Sequence, residues 1–207
     1  NTKKNISIEK LHPFENHPYK VQDDKAMDDL VGTIKEHGIM TPATVRPEKD
    51  GKGYEIIAGH RRQMASQLAG YRNMPCIVRN MTDDEAILAM TDDNLRQRET
   101  ILPSEKAMSL KMQYEAIKHQ GERRDLTCAQ VGHKPVNKKS VEILADQLGE
   151  SKNQVKRFIR LTYLIEPLQE MVDGRHENEI KIAFNPAVEL SYLTESEQYD
   201  LANAIVE

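Results

Sequence analysis

Tyr54-Glu55-Ile56-Ile57-Ala58-Gly59-His60-Arg61-Arg62-Gln63-Met64-Ala65-Ser66-Gln67-Leu68-Ala69-Gly70 is the stretch on which the reading of this chain turns. A short apolar strand runs through a glycine into a helix that closes on Gly70. The start of such a helix offers backbone N–H groups to an anion. His60, Arg61 and Arg62 fall on its first turn. Positive side chains are unfavourable there, because the helix macrodipole already makes that end positive, so a pair of arginines points to a negative group nearby. Phosphate is the obvious candidate. Taken alone, the same residues also fit an exposed basic turn on an ordinary strand-to-helix connection.

Working outward, the neighbouring segments build a sheet around that junction. Ile6-Ser7-Ile8 alternates as a short strand and leads into the turn-rich run from His12-Pro13 to His17-Pro18. From Asp24, Met27, Leu30, Val31 and Ile34 recur at helical spacing, and Gly38 terminates that helix. Gly38-Ile39-Met40-Thr41-Pro42-Ala43-Thr44-Val45-Arg46-Pro47 turns into a strand, and Asp50-Gly51-Lys52-Gly53 returns it tightly to Tyr54–Ala58. Met74–Val78 is a further strand, so strands and helices alternate around one sheet.

Composition bounds the possibilities. The 207 residues allow one large or two modest domains, and 5% aromatic with 30% charged residues describes a soluble, helix-rich chain. A formal charge of −4 argues against a wholesale nucleic-acid coat, so any DNA contact must be a local patch. The two cysteines, Cys76 and Cys128, lack the spacing of a zinc site or a redox dithiol, and a reducing cytoplasm follows. No segment approaches the roughly 18 consecutive apolar residues of a membrane span, and no signal peptide opens the chain. Asn1 in place of a methionine is expected for a chain that begins inside a longer gene product.

The second half reads as helices. Thr82-Asp83-Asp84-Glu85 is a capping box, and its helix runs into the polar cluster Asp92-Asp93-Asn94-Leu95-Arg96-Gln97-Arg98-Glu99. Solvated surface is the ordinary reading of such a cluster, but Asp93 beside Asn94 also offers hard oxygen ligands of the kind Mg²⁺ takes at triphosphate sites. Pro103-Ser104-Glu105 starts a long helix with Ala107, Leu110, Tyr114 and Ile117 inside, expected to end before Gly121. Lys118–Lys139, strongly basic and broken by Gly132 and Pro135, reads as a mobile or loosely helical connector.

Ser140–Leu161 carries the other decisive pattern. A short helix with Ile143, Leu144 and Leu148 inside stops at Gly149, and Ser151 caps a second helix with Val155, Phe158 and Ile159 inside. Ala145, Gly149 and Val155 have the spacing of a helix-turn-helix: a small residue where the helices touch, glycine in the turn, and a β-branched lock on the second helix. Ser151, Lys152, Asn153, Gln154, Lys156, Arg157 and Arg160 are the DNA-facing candidates. Asn, Gln and Arg make bidentate contacts to base edges, and lysine suits phosphates. Further on, Pro167–Val172 is a helix, Asn185-Pro186 is expected to cap and open another, and Thr194-Glu195-Ser196-Glu197 is a second capping box.

Taken together these motifs resemble the ParB family of partition proteins, especially the ParB/RepB-like members of plasmids and integrative elements. Gly38, Thr41, Pro42 and Arg46 match the first nucleotide-pocket motif. Ala58, Gly59, His60, Arg61 and Arg62 match the second, usually G-E-R-R. Asp93-Asn94-Leu95-Arg96-Gln97-Arg98, with Pro103-Ser104-Glu105 downstream, matches the third, usually E-N-x-Q-R. The chain departs from the pattern at His60 and Asp93, both usually glutamate, and by one extra residue between Asn94 and Arg98.

The resemblance implies an α+β protein: a small mixed-sheet ParB/sulfiredoxin-like nucleotide-binding domain over residues 1–100, then an all-helical DNA-binding domain over 101–207 with its helix-turn-helix at about 140–161. It further implies CTP bound by the motif residues, including Asn94 and Arg98, with Mg²⁺ held by Asp93 and Asn94. The implied partners are double-stranded DNA bearing a palindromic parS-like site, a second copy in a homodimer, and a ParA-type ATPase. The implied activity is a CTP-dependent sliding clamp reset by slow CTP hydrolysis, in the cytoplasm on nucleoid or plasmid. Family members normally end in a dimerisation domain, for which no residues follow Glu207, so a fragment is expected.

Two rivals come from the same motifs. Sulfiredoxin shares the N-terminal fold and a G-C-H-R pocket, which Gly59-His60-Arg61 echoes without the nucleophilic cysteine. A transcriptional or replication regulator could keep the fold and lack the nucleotide switch.

Overall fold

A computed structural model describes residues 2–15, 17–19, 25–97, 101–128 and 139–206, and the side chains of all of these except 93, 96, 97 and 121–128. The chain divides into two compact units, Asn1–Asp93 and Asn94–Glu207.

In the first unit, β1 (Thr2–Ser7), β2 (Leu11–Pro13), β3 (Ala43–Pro47), β4 (Tyr54–Ala58) and β5 (Asn73–Val78) form one sheet in the order β1-β5-β3-β4-β2. The pairings β1–β5 and β3–β4 are antiparallel, while β3–β5 and β2–β4 are parallel, so the sheet is mixed. Ile6, Ile8, Leu11, Ala43, Val45, Ile56, Met74 and Cys76 form its apolar core. α1 (Lys25–His37) and α2 (His60–Leu68) meet through Met27, Ile34 and Ala65, with Leu30 and Val31 packed alongside. The expected apolar stripe is thus the buried face of α1, and Gly38 ends it at φ +73° with its N–H donating to Ile34 O at 2.9 Å.

The expected capping box opens α3 (Asp83–Gln97): the Thr82 N–H donates to Glu85 Oε2 at 2.9 Å, and the Glu85 N–H donates to Thr82 Oγ1 at 3.3 Å. The Thr82 N–H and the Thr82 hydroxyl, which donates to the same carboxylate oxygen at 3.1 Å, hold the Glu85 carboxyl below its ordinary range.

The second unit is helical: α4 (Pro103–Cys128), α5 (Ser140–Leu148), α6 (Lys152–Arg160), a 3₁₀ turn (Leu161–Tyr163), α7 (Glu166–Asp173), α8 (Phe184–Leu190) and α9 (Glu195–Val206). Its core joins Ala107 of α4 to Leu161, Leu164, Leu168, Met171, Val188 and Ala202. Each fully buried Leu or Met in such a core contributes about 1.5–3 kcal/mol. Asp173, at the end of α7, accepts from the Ser104 N–H at 2.9 Å and the Ser104 hydroxyl at 2.6 Å, so a side chain far along the chain caps the first turn of α4.

Three places differ from the sequence reading. The strand expected at Ile6–Ile8 ends at Ser7, Ile8–Lys10 is a 3₁₀ turn, and His12-Pro13, expected as loop, belongs to β2 because its backbone pairs with the edge of β4. α4 continues through Gly121 to Cys128, because one glycine costs a helix only about 1 kcal/mol relative to alanine and helix formers surround this one. The start of the proposed connector is therefore helix, and residues 129–138 lie outside the described residues. The cap of α8 is Ala183 rather than Asn185, whose side chain is engaged elsewhere, and Pro186 sits in the first turn where its missing N–H leaves no helix bond unmade. The second capping box is present, with the Thr194 N–H donating to Glu197 Oε2 at 2.8 Å.

Candidate functional site

In the first unit Thr41, Pro42, Gly59 and Arg62 meet at the β4–α2 junction. Gly59 is the N-cap of α2 at φ +114°, a region that side chains avoid, and a Cβ there would lie 3.0 Å from Ala43 Cβ and 3.2 Å from Arg62 Nη2. Glycine is demanded twice over, by backbone conformation and by the close approach of β3. The first turn of α2 carries His60, Arg61 and Arg62 and no acidic residue. The first turn of an α-helix has no intrahelical carbonyls for its N–H groups, which is why anions collect at such ends.

Arg62 does more than supply charge. Its Nη1 donates to Thr41 O at 2.9 Å and to Pro42 O at 2.6 Å, tying the loop of the first motif to the helix of the second. Thr41 and Pro42 are thereby joined to Arg62, whose Nη2 lies close to Gly59, and Ala58 ends β4 opposite Thr44.

Arg46 is turned to a different task. It is 8% exposed, its Nε donates to the cross-strand Glu55 at 2.5 Å and its Nη1 lies 2.8 Å from Asp83 Oδ1, so it fastens the sheet to the start of α3. Lys49 and Arg46 together hold the Asp83 carboxyl below its ordinary range. The His60 ring stacks obliquely on His17 with centroids 3.8 Å apart, and His17 Nδ1 lies 2.8 Å from Tyr19 O, which makes that nitrogen the donor.

Sequence reasoning missed the His17–His60 pair and the Glu55–Arg46–Asp83 link. Neither has a local spacing signal, since the partners come from separate elements. Asn94 is half-buried on α3, whereas the Asp93 side chain and Arg98 lie outside the described residues. Among the described residues no group of three or more His, Cys, Asp or Glu is assembled to hold a metal.

Cys76 sits on β5 opposite Ala43, 1% exposed, and burial pushes its thiol up to about 11 against the opposing charge of Arg62. A buried thiol held in its neutral form is a packing group, not a nucleophile.

In the second unit, α5 and α6 form the expected helix-turn-helix. Leu144, Ala145 and Val155 are buried between the helices, Gly149 makes the turn at φ +66°, and the Ser151 hydroxyl accepts from the Gln154 N–H at 3.1 Å. Lys106 of α4 anchors the turn, with Nζ 2.6 Å from Glu150 Oε1 and 4.3 Å from the Phe158 ring centroid.

The DNA-facing candidates divide by their contacts. Asn153 and Lys156 are exposed on the outer face, and Gln154 is half-buried beside them. Lys152 donates to Glu142 Oε1 at 2.7 Å, which lowers the Glu142 carboxyl. Arg157 donates to Asn185 Oδ1 at 2.6 Å and lies over Phe184, while Arg160 bonds to Ser191 in the turn after α8. Both arginines hold α6 against its support, a use that the residue types could not reveal.

The ParB N-terminal domain family matches residues 1–95. Among curated proteins the chain is similar to a probable chromosome-partitioning protein ParB of Pseudomonas putida, at 32% identity over 167 residues, covering 81% of this chain and 50% of that protein. It is also similar to a nucleoid occlusion protein of Geobacillus thermodenitrificans, at 34% identity over 167 residues, covering 81% of this chain and 52% of that one. The chain spans about half the length of the curated relatives it matches.

Among solved structures it shares its fold with C-terminally truncated ParB of Caulobacter crescentus complexed to the centromeric parS site. That likeness has 22% identity and a TM-score of 0.51, and covers 98% of this chain and 91% of that one. The domain match identifies residues 1–95 as a ParB N-terminal domain, and most of the chain's length is similar to ParB proteins.

Proposed function

We propose that this chain is a site-specific DNA-binding partition protein whose N-terminal unit binds CTP and whose helix-turn-helix grips a palindromic, parS-like duplex. The observation that carries the nucleotide half is the Arg62 bridge to the Thr41 and Pro42 carbonyls. It joins the first two motifs into one cradle at a helix start that is cationic and free of acidic side chains in its first turn. Arg61 compensates phosphate charge there, and Arg62 transmits nucleotide occupancy to the Gly38–Pro42 loop. Mg²⁺ would take the Asp93 carboxylate and the Asn94 amide oxygen, hard donors of the type it prefers, and would neutralise triphosphate charge.

The DNA half is supported by the outer face of α6, where Asn153 and Gln154 suit base edges and Lys156 suits phosphate. Nucleotide binding drives a homodimer to close as a clamp on DNA, and a ParA-type ATPase is the partner in segregation. The reading covers segregation of a plasmid or of a chromosome, and the relatives named as chromosome-partitioning proteins support the second.

Calorimetry with each of the four ribonucleoside triphosphates, with and without candidate palindromic duplex, tests the reading. CTP is expected to bind in preference to ATP, GTP and UTP. Equal indifference to all four would favour the second reading, a DNA-bound regulator without a switch, which His60 in the second motif keeps in view.

A further inference from the structure

Tyr192 and Tyr163 are the most exposed aromatic side chains among the described residues, at 66% and 55%. Neither belongs to the recognition helix, yet both are organised around its last residue. The Arg160 guanidinium carbon lies 4.0 Å from the Tyr192 ring centroid and 4.5 Å from that of Tyr163. Lys111 of α4 adds its ammonium 5.4 Å from the Tyr163 ring. Arg160 is held in place by Ser191: its Nε donates to the Ser191 hydroxyl at 3.0 Å and its Nη2 to the Ser191 carbonyl. Ser191 is 2% exposed and its own hydroxyl donates to Val188 O at 2.6 Å, so the anchor is part of the core. Cation and ring therefore alternate from Lys111 through Tyr163 and Arg160 to Tyr192.

The placement of this cluster gives it a use. Lys156, Arg160 and Tyr163 follow one another at helical spacing, so they lie on one stripe running from the exposed face of α6 into the 3₁₀ turn. In a helix-turn-helix the N-terminal residues of the second helix meet base edges, and its other end leaves the groove beside the sugar–phosphate backbone. Tyrosine hydroxyls donate to phosphate oxygens, and rings already clamped by a cation lose little freedom on doing so. Interleaved lysine and arginine favour a polyanion over an apolar protein surface.

We propose that Tyr163 and Tyr192 are DNA-backbone contacts at the exit end of the recognition helix, with Arg160 as the positioning residue that braces their rings. The inference rests on the DNA-binding reading of α6 and adds to it a phosphate clamp that sets how far the helix enters the groove.

The test is the double variant Tyr163→Phe/Tyr192→Phe in the 207-residue chain, which removes two hydroxyls and keeps both rings. Binding to a parS-type palindrome and to a random duplex is measured across a salt series, together with the thermal midpoint. The expected result is a loss of about tenfold on both duplexes at every salt concentration, with an unchanged midpoint. The salt slope stays as in the parent, because a phenol hydroxyl displaces no counterion, whereas Lys156→Ala lowers it by about one. Arg160→Lys keeps the charge but loses the fork, and is expected to share the slope-preserving loss.

Unchanged affinity in the double variant overturns the proposal. So does a loss that appears only with a lowered midpoint, or unchanged DNA binding with weakened self-association in sedimentation, which would make the patch a protein contact. Failure of the parent chain to bind either duplex would instead refute the DNA-binding reading itself.

Discussion

Arg62 donates from a single nitrogen to the Pro42 carbonyl at 2.6 Å and to the neighbouring Thr41 carbonyl at 2.9 Å. A guanidinium on the first turn of α2 thus closes the loop that begins at Gly38, and two motifs separated in the chain become one surface.

This separates the roles of the two arginines. Arg61→Ala is expected to weaken CTP binding by tenfold or more in calorimetry, on the order of one charge-assisted hydrogen bond, while site recognition and the unfolding midpoint stay close to the parent. Arg62→Ala is expected to lose nucleotide affinity and also about 1–3 kcal/mol of stability in urea, because the loop loses two anchors. Parent-like CTP affinity in Arg62→Ala would remove the coupling.

Gly59→Ala combines two penalties, a side chain at φ +114° and a Cβ 3.0 Å from Ala43 Cβ. Destabilisation of roughly 1–3 kcal/mol is expected by urea titration. Adding Ala43→Gly should relieve only the steric share, so full recovery in the double variant would show that backbone strain is absent.

On the recognition helix, Asn153→Ala is expected to alter which base pairs are preferred, whereas Lys156→Ala weakens all duplexes and reduces the salt slope by about one. Competition with a randomised duplex pool distinguishes them. An equal, sequence-independent loss from both changes would contradict the docking of this face in a groove.

Cys76 makes stability depend on alkaline pH. Its folded pKa is raised to about 11 from an ordinary value of 9.0, mainly by burial. The folded state therefore holds the proton more tightly than the unfolded chain, so the contribution is complete below pH 9 and is lost as pH rises toward 11. Stability curves for the parent and Cys76→Ala should converge over that interval. A constant gap between them would show that the thiol is not desolvated.

Much of this was legible in the residues because it is local. Apolar spacing locates α1, and Thr82 with Glu85 and Thr194 with Glu197 announce the helix starts they cap. Ala145, Gly149 and Val155 specify the packing of α5 on α6, because only a small residue, a left-handed turn and a β-branched lock fit there. The extent of α4 was misread since a glycine weakens a helix without ending it.

By itself, then, the sequence determined which helices form and in what order, which of their faces are apolar, and which cations stand at the start of α2 or along α6. Hydrogen-bond geometry and 3.6-residue periodicity act within a few residues, so such features are written in neighbouring letters. Only the tertiary structure decided what each cation faces. Arg46 is spent on Glu55 and Asp83, Arg62 on the Thr41 and Pro42 carbonyls, and Arg157 and Arg160 on Asn185 and Ser191. A guanidinium binds whatever acceptor the fold brings within reach, and that acceptor is set by packing between distant segments rather than by the letters beside it.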